Sequence, residues 1–183
     1  MSVHLAAQCR CVPVNSDVRR VIEMSARIKT FLSRPNWVPK HIDGHLDKLY
    51  AKMAELGFDA QTIGKNVTSL ASPFEEVVGL MRACECTIVL GIPQLRMEKG
   101  TVKGKEIEAA FSLPTEWNQI EAAISIMLGR PTLMMLHRGV AARGLFERGA
   151  ANVFVYDFHT LGPKWVEDTV PKLLALREKV RPN

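Results

Sequence analysis

Pro114-Thr115-Glu116-Trp117-Asn118-Gln119-Ile120-Glu121-Ala122-Ala123-Ile124-Ser125-Ile126-Met127-Leu128-Gly129-Arg130-Pro131, followed by Thr132-Leu133-Met134-Met135-Leu136, reads as a capped helix handing over to a buried strand. Thr115 suits the N-cap, Glu116 the positive end of the helix dipole, and Gly129 with Pro131 the stop. Turning the helix by about 100° per residue places Trp117, Ile120, Ala123, Ile124, Met127 and Leu128 on one apolar arc, the face expected to meet the core. Glu121 falls at the edge of that arc, one turn after Trp117. A carboxylate there is partly desolvated, so the position calls for chemistry or for a partner.

The same alternation extends in both directions. Upstream, Ile28-Lys29-Thr30-Phe31-Leu32-Ser33 is a first strand that ends at the turn Arg34-Pro35-Asn36. Ile42, Leu46, Leu49, Tyr50 and Met53 recur at helical spacing, with Gly57 as their stop. Residues 58–63 give a short second strand, and Ser72-Pro73 opens a helix with Pro at N1 and Glu75-Glu76 in its first turn. Thr87-Ile88-Val89-Leu90-Gly91 is a continuous apolar run, the pattern of a parallel strand covered on both faces. Downstream of Leu136, Asn152-Val153-Phe154-Val155-Tyr156 repeats that pattern, and a last helix is expected over 163–179.

Repeated β-α-β units with right-handed crossovers imply an α/β fold: one doubly wound parallel sheet of about five strands with helices on both faces. The fold-level prior for its order is flavodoxin-like, 2-1-3-4-5. Residues 1–27 read as an N-terminal extension holding a short helix through Val18, Val21, Ile22 and Met24, and 28–183 as the domain proper. The stretch 92–114 is read as a long irregular loop, either a binding lid or a surface insertion. Ligands of such sheets sit beyond the carboxyl ends of the strands, where strand order reverses. That rule gathers Ser33, Arg34 and Asn36 after the first strand, Gly91 to Gln94 after the third and His137-Arg138-Gly139 after the fourth.

Composition narrows the function. Over 183 residues, 47% apolar and 23% charged, the chain is an ordinary globular one with enough length for a real core. The net charge of +5 is spread over scattered Lys and Arg rather than a basic run with interleaved aromatics, which argues against nucleic acid as a partner. No apolar run is long enough to span a bilayer, so no membrane partner is expected. The opening residues make a poor signal peptide, and a cytoplasmic location is expected. Cys9/Cys11 and Cys84/Cys86 lack the spacing of a structural zinc site, so neither a metal nor a cofactor is expected. Gly139-Val140-Ala141-Ala142-Arg143-Gly144 lacks the Lys-Ser/Thr end of a P-loop.

A strand ending in Phe31-Leu32-Ser33, an apolar strand ending in Leu90-Gly91, and a Trp-x-x-x-Glu helix ahead of a further apolar strand resemble the nucleoside 2-deoxyribosyltransferase-like superfamily. The layout is also similar to that of NAD-cleaving TIR domains. The resemblance covers residues 28–160 and is most specific from Trp117 to Pro131. It implies N-glycosidic bond cleavage or ribosyl transfer on a nucleoside, nucleotide or NAD-like molecule, with Glu121 attacking or stabilising the anomeric carbon. A carboxylate against C1′ suits the oxocarbenium character that develops there and can form a covalent ribosyl-enzyme.

By the same resemblance Trp117 and Asn118 join Ser33, Arg34, Asn36, Gly91 and His137 as substrate-binding residues. Trp117 either stacks on the ligand or packs in the core. Arg34 either holds a phosphate or caps its own loop. His137 is either an acid–base group or a structural hydrogen-bonder, and Asp157 either a site carboxylate or a cap. The approach to the helix, Leu113-Pro114-Thr115, and the end of the third strand, Gly91-Ile92-Pro93-Gln94, lack the Gly-Thr and acidic features of deoxyribosyltransferases. That difference supports an alternative, a non-catalytic nucleotide-binding or signalling module. Homo-oligomerisation is expected from the TIR-like layout and from Met- and Leu-rich helix faces.

Overall fold

The computed structural model describes residues 27–65, 72–158 and 164–181. Its centre is a five-stranded parallel sheet built from β1 (Ile28–Ser33), β2 (Phe58–Gln61), β3 (Cys86–Gly91), β8 (Thr132–His137) and β9 (Val155–Phe158). The strand order is β2-β1-β3-β8-β9, which is the expected 2-1-3-4-5. Among the described residues four α-helices cover it: α1 (Lys40–Glu55), α2 (Pro73–Ala83), α3 (Glu116–Met127) and α4 (Trp165–Val180).

Strand parity sorts the core into two layers. Ile28, Leu32, Ile88, Leu90, Leu133 and Met135 pack with Leu46, Leu49 and Met53 of α1 and Leu173 and Leu176 of α4. On the opposite face, Phe31 meets Val77 and Met81 of α2, while Val89, Met134 and Leu136 meet Ala122 of α3. All six residues of β3 are buried, as a central strand sandwiched between helices requires.

Three expectations from the sequence are corrected. The edge strand spans Val155–Phe158 rather than 152–156, because the ladder to β8 begins at Met134 opposite Val155. The stretch 92–114 is not irregular. β4 (Leu95–Met97) pairs antiparallel with β7 (Phe111–Leu113), and β5 (Thr101–Val102) with β6 (Lys105–Glu106). The β5–β6 tip is a two-residue turn in which Lys103 and Gly104 both have positive φ, 53° and 76°, the geometry that suits a tight hairpin. Ladders of two and three residues are too short to show a period of two, which is why the pattern hid them.

The third correction concerns α3. Its cap is as expected: the Thr115 hydroxyl accepts from Asn118 N–H, and Gly129 ends the helix at φ 64°. Its buried face, however, is Asn118, Glu121, Ala122 and Ser125. Trp117 and Ile120 are more than a third exposed, and Met127 is 86% exposed. The sheet surface beneath α3 carries the hydroxyls of Ser33 and Thr132, so polar side chains face it: Asn118 bonds Ser33, and Ser125 lies 2.7 Å from the Thr132 hydroxyl. Buried hydroxyls that must be hydrogen-bonded override the pull of the apolar arc here. Of the 1–27 extension, only Arg27 lies within the described residues.

Candidate active site

β1 and β3 lie side by side, with β2 outside β1 and β8 outside β3, so the order reverses between them. At their carboxyl ends lies a cavity of about 560 Å³, the location that a doubly wound sheet favours for a ligand. Its lining comes from five directions: Arg34, Asn36 and Trp37 after β1; Thr62, Ile63 and Gly64 after β2; Pro73 and Val77 from α2; Gln94 after β3; and Thr115, Trp117 and Glu121 from α3. Glu121 is thus brought into one pocket with Arg34, Asn36 and Trp117.

Glu121 is 9% exposed, and burial pushes its carboxyl up to about 7, while a hydrogen bond from Ser33 works in the opposite direction. Removing a carboxylate from water disfavours its charged form, and a donor partly restores it. Ser33 is itself held. Asn118 Nδ2 donates to Ser33 Oγ at 2.7 Å, and the Thr115 hydroxyl donates to Asn118 Oδ1 at 2.9 Å. The N-cap of α3 is therefore linked to its carboxylate through two buried side chains. Asn118 and Ser33 are each 1% exposed, so Asn118, expected to bind substrate, instead braces the site from behind.

Arg34, in the cavity wall, is also engaged within the protein. Its Nε donates to the Pro35 carbonyl at 2.9 Å, and both terminal nitrogens reach Asp43 Oδ1 of α1 at 3.2 Å. That fork is held by α1, and Lys65 lies 3.6 Å from the same Asp43 oxygen. Asn36 covers Gly64, whose φ of 78° and 2.9 Å clearance to Asn36 Nδ2 admit only glycine. Below them Thr62 donates to the Leu32 carbonyl at 3.0 Å, so its oxygen accepts the Tyr50 hydroxyl at 2.7 Å. Burial raises that phenol above its ordinary range, so it stays a neutral prop.

Two expected residues lie elsewhere. A Cβ on Gly91 would come within 2.7 Å of Leu136 and 3.2 Å of the Phe146 ring, so this glycine serves close packing behind the cavity. His137 shares the parity of Leu133 and Met135 and therefore faces α4, edge-on to Phe158 at 5.4 Å. It lines a separate cavity of about 360 Å³, its Nδ1 accepting from Gly139 N–H at 3.0 Å. Asp157, at that second cavity, pairs with Arg148 at 2.6 Å.

Sequence reasoning missed Trp37 and Thr62, whereas Gln94 lies at the cavity as the strand-end rule placed it. Trp37, 71% exposed at the cavity mouth, directly follows the Arg34-Pro35-Asn36 turn, so an aromatic beside a strand-end turn was the available signal. Cys84 and Cys86 are buried, and burial pushes their thiols up to about 11 and about 12, which keeps them protonated. Among the described residues no cluster of three or more His, Cys, Asp or Glu could hold a metal ion. No helix among them is long and apolar enough to cross a membrane.

Fold and cavity together define a class: a doubly wound α/β protein whose switch-point pocket is built around a buried carboxyl group. No family model matches the chain, and no curated protein does. Among solved structures it is similar to the CMP N-glycosidase BcmB of Clostridium botulinum, with a TM-score of 0.53 and 11% identity over 79% of this chain and 98% of that one. At that identity the likeness is one of fold.

Proposed function

We propose that the protein cleaves or transfers the N-glycosidic bond of a nucleoside or nucleotide, with Glu121 as nucleophile. The observation that carries this reading is the buried Glu121 carboxyl in the switch-point cavity, flanked by Trp117 and Trp37. The fold shared with a CMP N-glycosidase supports the reading at the level of scaffold. In the reaction, the ionised Glu121 oxygen bonds C1′ as the C1′–N bond breaks and its electron pair leaves with the base. The base takes a proton from water, or departs directly when already cationic, as nicotinamide is. Water or an acceptor base then attacks C1′ as the ester bond to Glu121 breaks; its electron pair returns to the carboxylate, and the proton shed by the nucleophile passes to solvent. Trp117 and Trp37 supply faces on which a planar base stacks.

The second reading, a nucleotide-binding module without chemistry, draws on one observation: among the described lining residues, Glu121 is the single acid. A homo-oligomer accompanies either reading, supported by the outward face of α3 with Trp117, Ile120 and Met127. Neither nucleic acid nor a membrane belongs to the proposed partners, and the protein works without a cofactor in the cytoplasm. Release of free base from a panel of nucleosides, deoxynucleosides, their 5′-monophosphates and NAD tests the proposal. Release that disappears in Glu121→Ala supports it. Tight binding with no release by either protein supports the second reading.

A further inference from the structure

We propose that Asn118 is a positioning residue that acts through Ser33, its side-chain amide turning the single Ser33 hydroxyl proton onto Glu121. This rests on Glu121 being the reactive carboxylate.

A hydroxyl has one proton to give and lone pairs with which to accept. Thr115 Oγ1 accepts Asn118 N–H at 3.2 Å and spends its own proton on Asn118 Oδ1 at 2.9 Å. That fixes the amide with its oxygen toward Thr115 and its NH₂ toward Ser33. Asn118 Nδ2 then occupies Ser33 Oγ as an acceptor at 2.7 Å, which leaves the Ser33 proton for Glu121, whose ionised form a Ser33 hydrogen bond favours. Asn118 is 1% exposed and absent from the cavity wall, so it is out of reach of a ligand.

Few charges compete with this chain of donors. Arg34, in the loop after β1, is tied to Asp43 of α1, and Lys65 lies 3.6 Å from the same Asp43. The α2 residues at the cavity, Pro73 and Val77, are uncharged, as is Gln94 after β3. Glu116, in the first turn of α3, is exposed. The ionisation of Glu121 is thus governed by burial and by one donor, and Asn118 governs that donor.

Asn118→Asp tests this at constant shape. An aspartate accepts on both oxygens, so it takes the Thr115 proton on one and the Ser33 proton on the other, and the chain reverses. The Glu121 titration, followed by carbon NMR of labelled glutamate, is expected to move upward by about one pH unit or more. Part of that movement comes from the added charge, so the same substitution is made in a Ser33→Ala background. A clearly smaller shift there supports action through Ser33; an equal shift overturns it, because charge alone would then suffice.

A measurement on the unmodified protein covers the event that Asn118→Asp fails to fold. The Asn118 side-chain amide resonances are expected to titrate with the Glu121 midpoint, and an amide unmoved through that range overturns the proposal. Both readouts are independent of turnover. Absence of base release beside the expected shifts would defeat the glycosidic reading while leaving the hydrogen-bond chain standing.

Discussion

Replacing Glu121 by Gln should stabilise the protein in a pH-dependent manner. Its carboxyl is raised from 4.5 to about 7 by burial, with Ser33 opposing. Between those two values the folded state holds a proton that the unfolded state has already released. Because the folded state binds more protons, stability falls as pH rises: the contribution is fully present below 4.5 and gone above about 7. At about 1.4 kcal/mol per unit, the loss amounts to about 3 kcal/mol, most of it between pH 5 and pH 8. A glutamine has the same shape and no ionisation to suppress, so Glu121→Gln escapes the loss. Urea unfolding of both proteins at pH 5 and pH 8 reads the difference, provided that the m-value is unchanged. The stability gap in favour of the variant should widen by about 2–3 kcal/mol from the lower to the higher pH. A gap that stays constant would refute the reasoning, since Glu121 would then titrate alike in folded and unfolded chains.

Three further outcomes follow from the same geometry. The nucleophile must be ionised, so kcat/KM for base release should fall about tenfold per pH unit below an inflection at about 7 and level off above it; a profile flat from pH 5 to pH 8 would contradict this. Trp117→Ala removes a stacking face from the cavity, and KM should rise about 5- to 100-fold, corresponding to about 1–3 kcal/mol, with a smaller change in kcat; an unchanged KM would leave Trp117 as mere wall. Gly91→Ala drives a Cβ to within 2.7 Å of Leu136, so unfolding by denaturant should show a loss of about 1–3 kcal/mol; no loss would mean that Leu136 and Phe146 give way freely.

The sheet was legible because parallel strands covered on both faces have to be apolar throughout, and the runs at 87–91 and 132–136 have that character. The β2-β1-β3-β8-β9 order agrees with the fold-level prior and is not itself displayed by the sequence. The orientation of α3 was not legible. Its apolar arc pointed to one face, whereas the Ser33 and Thr132 hydroxyls of the sheet drew Asn118 and Ser125 inward. The spacing of apolar residues describes the helix alone and holds nothing of what the surface beneath it demands. Glu121 was marked for the right concern, desolvation, but it sits on the buried face itself rather than at the margin of an apolar one. His137 was gathered by the strand-end rule, but β8 lies on the far side of β3 from β1, and its end borders the second cavity rather than the one that holds Glu121. Arg34 illustrates a different limit: its partner Asp43 lies in a helix nine residues on, and only the folded loop shows the fork already filled.

The central claim is that Glu121 forms a bond to the anomeric carbon. The direct measurement is acid quenching during turnover of the best substrate, followed by intact-mass and peptide mass spectrometry. The expected result is one added pentosyl unit on the peptide containing Glu121, absent when Glu121→Gln is treated identically. A pentosyl unit on any other residue, or base release by Glu121→Gln at the wild-type rate, would contradict the account.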